Sequence, residues 1–119
     1  MQSNVIQVIY ADMKSWADIG QSCRLAKILP IESADMYRVF ENNAETRVYY
    51  GKMPTAHFVC KSCWSLAALL KVISNIFKYN LDYNGTSFIL MVGDFEVSNK
   101  SAVDACYEMI IRLNELKML

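Results

Sequence analysis

The sequence predicts an α+β fold in which helices and strands are mixed along one domain. Short β-branched or apolar runs, typical of strands, lie between amphipathic stretches with helical spacing. Turn and capping signals separate these runs, and no repeat, low-complexity tract or linker divides the chain. At 119 residues the chain is long enough to bury its own core, so residues 1–119 are expected to form a single domain.

Strands are predicted from apolar runs and from turn sequences between them. A β-branched, nearly all-apolar run near residue 1 is typical of a strand buried on both faces. Two further pairs of runs flank Gly51-Lys52-Met53-Pro54 and Asn84-Gly85, and each pair is expected to form a hairpin. The predicted strands are Asn4–Tyr10, Thr46–Tyr50, Thr55–Cys60, Asn80–Tyr83 and Thr86–Val92.

Helices are predicted from capping residues and apolar periodicity. Ser15 with Asp18 indicates a capping box, and Pro30 ends the segment after it, so Gly20–Leu29 is expected to be a helix, or a break followed by a strand. Three more helices are expected after the caps Ser33, Ser62 and Ser101, the last with Asp104 as a capping box. Their apolar faces are Met36, Tyr37 and Phe40; Leu66, Leu69, Leu70, Ile73, Ile76 and Phe77; and Val103, Cys106, Ile110 and Leu113.

Together these elements predict a mostly antiparallel sheet of four to five strands. Two to four helices would back it, in a ferredoxin-like or related sandwich. Helices on one side leave the other face of the sheet open to solvent or to a partner. The fold class therefore favours a protein that binds through an open sheet face.

Charge and compartment signals exclude several classes of partner. Twelve basic and twelve acidic residues cancel, and without a run of Lys or Arg no general nucleic-acid binding is expected. No apolar stretch approaches the roughly 20 residues that span a bilayer, and no signal peptide is recognised. The protein is therefore expected to be cytoplasmic or nuclear rather than secreted, and its four cysteines to be reduced thiols.

The segment His57-Phe58-Val59-Cys60-Lys61-Ser62-Cys63 concentrates candidate chemistry. Cys63 is expected in the first turn of a helix, where the helix dipole lowers a thiol pKa, so it is the candidate reactive thiol. The Cys60–Cys63 spacing resembles that of thioredoxin-like proteins. The proline that packs against their dithiol has no counterpart, because Pro30 and Pro54 both precede Cys60. A thiol-redox protein using this pair is kept as an alternative function.

Zinc is the other chemistry that this pair suggests. A structural zinc ion needs four converging ligands, usually as two close pairs. Cys23 and Cys106 are isolated, and strand alternation turns His57 away from Cys60. Small buried thiols are therefore the favoured interpretation, and no cofactor is predicted.

Two carboxylates offer a further alternative. Asp12 follows the first predicted strand and Asp94 follows the apolar run Phe88–Val92, with Glu96 close behind. Carboxylates at neighbouring strand ends can hold a divalent cation for phosphotransfer or nuclease-like chemistry. Asp also ends strands routinely as a turn former, and this interpretation is favoured over the metal site.

Aromatic and methionine side chains give the preferred hypothesis. Tyr49, Tyr50, Tyr79 and Tyr83 cluster in or near the predicted hairpins, with Met53 in one loop. Both residue types are favoured at interfaces. We therefore expect a small, non-enzymatic binding or regulatory protein, of the inhibitor, immunity or ligand-binding kind. A protein partner and a homodimer are expected, and a small ligand, nucleotides included, remains open.

Overall fold

The fold is α+β, but its strands form two separate sheets. A computed structural model describes residues 14–42, 44–53 and 59–119, and within these ranges there are three helices and two three-stranded sheets. Every strand pairing described is antiparallel. The predicted single sheet of four to five strands is therefore wrong, because a helix intervenes between the two sets of strands. The predicted strand Asn4–Tyr10 lies outside the described residues.

The first helix follows directly on a capping box. Asp18 Oδ1 accepts from the Gln21 backbone N–H at 2.8 Å, and the Gln21 side chain accepts from the Asp18 backbone at 3.1 Å. The cap is thus Asp18 rather than Ser15. Helix α1 spans Ile19–Ile28 and ends before Pro30, so the helical alternative for this segment is confirmed.

The first sheet consists of β1 (Met36–Glu41), β2 (Ala44–Tyr50) and β3 (Val59–Cys63), in the order β2-β1-β3. The helix predicted after Ser33 is therefore wrong, because Met36–Glu41 is the central strand of this sheet. The predicted pairing of Thr46–Tyr50 with Thr55–Cys60 is also wrong, since β2 and β3 both pair with β1 and not with each other.

The second sheet lies between two helices along the chain. Helix α2 begins after Ser65 rather than Ser62, and the hairpin across Asn84-Gly85 and the cap at Ser101 are confirmed. The strand formed by the apolar run Phe88–Val92 is the central strand of this sheet, as predicted. The remaining elements are α2 (Leu66–Ser74), β4 (Tyr79–Tyr83), β5 (Phe88–Val92), β6 (Phe95–Asn99) and α3 (Ala102–Glu115).

The hydrophobic core lies between the helices and the second sheet. Leu90 and Val97 of this sheet and Ile110 of α3 are buried with Trp64, which follows β3. Helix α1 is held to α3 by the Gln21 side chain, which donates to Asp104 at 2.7 Å. Helix α1 also lies against β3 of the first sheet.

Candidate functional site

Helix α1 and the first sheet border a cleft whose lining includes charged residues and cysteines. It has a volume of about 420 Å³, and we call it the α1–β3 cleft. Cleft volumes of this order are typical of small-molecule sites. Its walls include Ile19, Cys23, Lys27, Arg38, Met53, Cys60 and Lys61.

Arg38 is a buried cation in the wall of this cleft. Only 3% of its surface is exposed. Its Nη2 donates to the Ala17 carbonyl oxygen and lies 3.5 Å from Cys63 Sγ. A guanidinium keeps its proton even when buried, so a permanent positive charge is held there in one orientation.

Positive charge predominates around the cleft. Lys27 lies in the last turn of α1, and Lys61 lies on β3 with its Nζ 5.6 Å from the centre of the Phe40 ring. No Asp or Glu is among the described residues that line the cleft. Asp18 lies nearby, and its pKa is held below its ordinary value by the Gln21 backbone N–H and then by the charges of Lys14 and Arg38.

Cys63 does not occupy the position predicted for it. It is the last residue of β3, opposite Met36 on β1, and its side chain is fully buried. Burial raises the pKa of Cys63, although the Arg38 charge opposes this. Both properties on which its predicted reactivity rested, a helix first turn and exposure, are thus missing. Its reactivity stays a prediction that its surroundings disfavour.

The other cysteines divide into two kinds. Cys23 is exposed and Cys60 is half-buried, and both line the α1–β3 cleft. Cys106 is buried in α3, and this burial raises its pKa to about 12. Cys60 and Cys63 are three residues apart on one strand and so point to opposite faces. Because Cys63 Sγ lies beside the Ala17 carbonyl oxygen, on the α1 side of the sheet, the Cys60 thiol points away from α1 and from Cys23.

The structure separates the predicted binding residues into two groups. Tyr49 and Tyr50 lie on β2, where the Tyr49 ring stacks on Tyr37 at 5.4 Å and 69% of Tyr50 is exposed. Met53 lies in the wall of the α1–β3 cleft. Tyr79 and Tyr83 lie on the other sheet, so the five predicted residues do not form one surface.

Tyr79 and Tyr83 are at the edge of the core face rather than on an open face. They lie on the same face of β4 as Leu81, which packs against the core. The Tyr83 ring lies 4.7 Å from that of Phe88, and its hydroxyl donates to the Gly85 carbonyl at 2.9 Å. Local packing accounts for Tyr83, and a binding role for these two tyrosines stays a prediction.

The opposite face of the second sheet was not singled out from the sequence. By strand register, Asn80, Met91 and Glu96 form one row across the three strands, and Asp82, Ile89 and Ser98 form the next. We call these six residues the Met91 face. Met91 is 43% exposed, and no described helix packs on this face. Along β5, Leu90 and Val92 are buried and Met91 between them is exposed, a difference that the continuous apolar sequence Phe88–Val92 did not indicate.

The predicted carboxylate pair is not joined in the described part of the chain. Asp12 lies outside the described residues. Asp94 lies with Gly93 in the turn between β5 and β6, where Gly93 has φ +57°. The position of Asp94 therefore fits the turn-forming role that the sequence favoured over a metal site. Within the described ranges, no three His, Cys, Asp or Glu side chains are grouped to hold a metal ion.

One property of the helices and three comparisons with known proteins complete the description. None of the helices in the described ranges is long and apolar enough to cross a membrane. No family model, no curated protein and no solved structure matches this chain. Support for a function therefore comes from the two surfaces described above.

Proposed function

We propose that this protein is a non-enzymatic binding protein that takes an amphipathic, basic helical segment of a partner on its Met91 face. The observation that carries the proposal is the chemistry of that face. Ile89 and Met91 are apolar and lie on the central strand, and carboxylates flank them on both edge strands at Asp82 and Glu96. None of the six residues is a cation.

The dimensions of the face favour a helix as the partner element. Three strands about 4.8 Å apart span about 14 Å, and five residues at about 3.4 Å span about 17 Å. An α-helix with its side chains is about 10–12 Å wide, so one helix covers the face. A helix with one apolar stripe and Lys or Arg beside it would pack on Ile89 and Met91 and pair with Asp82 and Glu96.

The methionine methyl groups give a direct test. In protein labelled with ¹³C at these methyls, Met91 reports on the proposed face, Met53 on the cleft, and Met109 on the buried core. The probe is a peptide with leucine at i, i+3, i+4 and i+7 and lysine elsewhere. We expect the Met91 signal alone to shift in a saturable way, and the affinity to fall with added salt.

Matched variants separate this face from general attraction by negative charge. Asp82→Asn with Glu96→Gln should weaken binding roughly twofold to thirtyfold, since an exposed ion pair contributes about 0.2–1 kcal/mol. Glu32→Gln with Glu115→Gln removes two exposed carboxylates elsewhere and should leave the affinity unchanged. An unmoved Met91 signal, or equal binding of a peptide with glutamate in place of lysine, would refute the proposal.

A further inference from the structure

We propose that the Met91 face selects a partner helix with two cations placed five residues apart, on opposite sides of its apolar stripe. The selection rests on the binding function proposed above, and it adds the positions of the charges that the partner must carry. Asp82 and Glu96 determine these positions, because they occupy diagonal corners of the face rather than one row.

The two carboxylates can both accept a partner. Asp82 and Glu96 are exposed residues of the two edge strands. The Asn80 side-chain amide donates to Asp82 Oδ2 at 2.8 Å, which orients this carboxylate on the face. Neither carboxylate is in an ion pair within the described ranges. Each can therefore pair with a cation of the partner.

The strand register determines how far apart the carboxylates are along the strands. Asp82 lies in the row of Ile89, and Glu96 lies in the row of Met91, two residues further along β5. Two residues of a strand span about 7 Å, and the edge strands are about 10 Å apart across the sheet. A helix lying along β5 would thus meet one carboxylate on each side, with an offset of about 7 Å along its axis.

Hydrogen bonding at the hairpin determines which diagonal the carboxylates occupy. The Asn84 backbone N–H donates to the Ser87 carbonyl at 3.1 Å, so Asp82 and Ile89, two residues further from the turn, also form a hydrogen-bonded pair. With β5 running upward and Ile89 facing the viewer, the N–H and C=O of this L-residue point to the right, and β4 lies on that side. Asp82 is therefore at the lower right of the face and Glu96 at the upper left.

A right-handed α-helix fits this diagonal with one spacing. On the side that contacts the sheet, its chain rises from right to left in the same view. Five residues advance the helix by about 7.5 Å and turn it by about 140° beyond one full turn, so two such residues lie on either side of the stripe at nearly the offset of the carboxylates. Residues two apart also lie on opposite sides, but they advance only about 3 Å and follow the other diagonal. Reversing the helix leaves this result unchanged, because the two corners then exchange.

Two peptide isomers test the spacing. Both have leucine at i, i+4, i+7 and i+11, alanine and glutamine elsewhere, and blocked ends. One carries its two cations at i+3 and i+8, the other at i+8 and i+10. The cation is 2,4-diaminobutyrate, because its stem is shorter than that of lysine and does not reach across the stripe. We expect the first peptide to bind roughly twofold to tenfold more tightly, measured by titration of the ¹³C methyl signal of Met91.

A protein variant of identical composition moves the carboxylates to the other diagonal. Asn80→Asp with Asp82→Asn exchanges two side chains on β4, and Glu96→Ser with Ser98→Glu does so on β6. All four positions are exposed, so the fold should be preserved, and urea unfolding checks this. In the exchanged variant the order of affinities should reverse, with the i+8 and i+10 peptide binding more tightly. The two peptides on the wild type decide the matter if the variant does not fold.

The outcomes separate this selection from the binding function beneath it. Equal affinity of the two peptides for the wild type, with Met91 shifting for both, would overturn the selection and leave the binding function in place. A preference that the exchanged variant retains would do the same. A Met91 signal that neither peptide moves would overturn the binding function, and the selection with it.

Discussion

Cys63 and Cys106 are both fully buried thiols, but their surroundings differ. Cys63 lies beside the Arg38 guanidinium, whose charge partly offsets the effect of burial on its pKa. Burial is the cause that raises the pKa of Cys106 to about 12. Cys106 therefore behaves as a small apolar residue of the core at neutral pH, and its proton becomes important for stability only in alkaline solution.

This difference predicts how stability depends on pH. Above about pH 9 the thiol ionises in the unfolded chain, whereas folded Cys106 keeps its proton until about pH 12. The unfolded state is then favoured as the pH rises, by up to about 1.4 kcal/mol per pH unit. Urea unfolding at pH 7.5, 9 and 10.5 should show this loss, and Cys106→Ala should show a smaller one.

The exposed Cys23 supplies the control for this measurement. It lies on α1 at the surface, so Cys23→Ala controls for the removal of a thiol from outside the core. Equal slopes in Cys106→Ala and the wild type between pH 9 and 10.5 would contradict the assignment of Cys106 as a protonated core thiol.

At the scale of elements, the start of α2 is held by a cap that reaches back to the first sheet. The Ser65 hydroxyl accepts from the Ala68 backbone N–H at 3.2 Å and donates to the Asp35 carboxylate. The Ser65 backbone N–H also donates to Asp35, at 2.9 Å. One carboxylate just before β1 thus orients the residue that opens the main core helix.

Removing this cap should weaken the whole domain. Ser65→Ala loses the capping oxygen, for which the usual cost is about 0.5–2 kcal/mol of unfolding free energy. Ser74→Ala, at the other end of the helix, removes an exposed hydroxyl that donates only to the Lys71 carbonyl, and it should change little. Chemical denaturation compares the two variants, and equal stabilities would show that the Ser65 cap has no special role.

Elements with local signals were predictable from the sequence. The Asn84-Gly85 hairpin and the Ser101 cap depend on residues close in sequence, and both are confirmed. By contrast, β1 was predicted as a helix because Met36, Tyr37 and Phe40 have helical spacing. In the strand, Met36 and Arg38 are the buried alternating residues, and a charged residue at a core position hides the period of two.

The candidate sites were less predictable because they depend on contacts between distant segments. Cys23 and Lys27 are four residues apart on α1 and so share a face, but nothing local shows that this helix lies beside β3. The predicted position of Cys63 was wrong because Ser62 and Ser65 are both acceptable N-caps for the helix that follows, and the structure uses Ser65. Extending β3 by three residues moved Cys63 from a helix start to a buried strand end.

At the scale of the whole molecule, a net charge of zero conceals a separation of charge. The Met91 face has carboxylates at Asp82 and Glu96, and the α1–β3 cleft has cations at Lys27, Arg38 and Lys61. The two carboxylates lie on the second sheet, whereas the cations lie on α1 and on the first sheet. Charges of opposite sign are therefore separated in this small domain rather than evenly mixed over its surface.

The homodimer expected from the sequence stays a prediction, and this charge distribution shows how to examine it. Pairing two copies through the Met91 face would bring four carboxylates into one interface without a cation on the face to neutralise them. Repulsion of this kind is screened by salt. We therefore expect self-association through this face to be weak at low ionic strength, to strengthen with added salt, and to strengthen in Asp82→Asn with Glu96→Gln. Light scattering over a range of protein concentrations measures this directly. A dimer that is strongest at low salt and insensitive to the double substitution would place the contact on another surface.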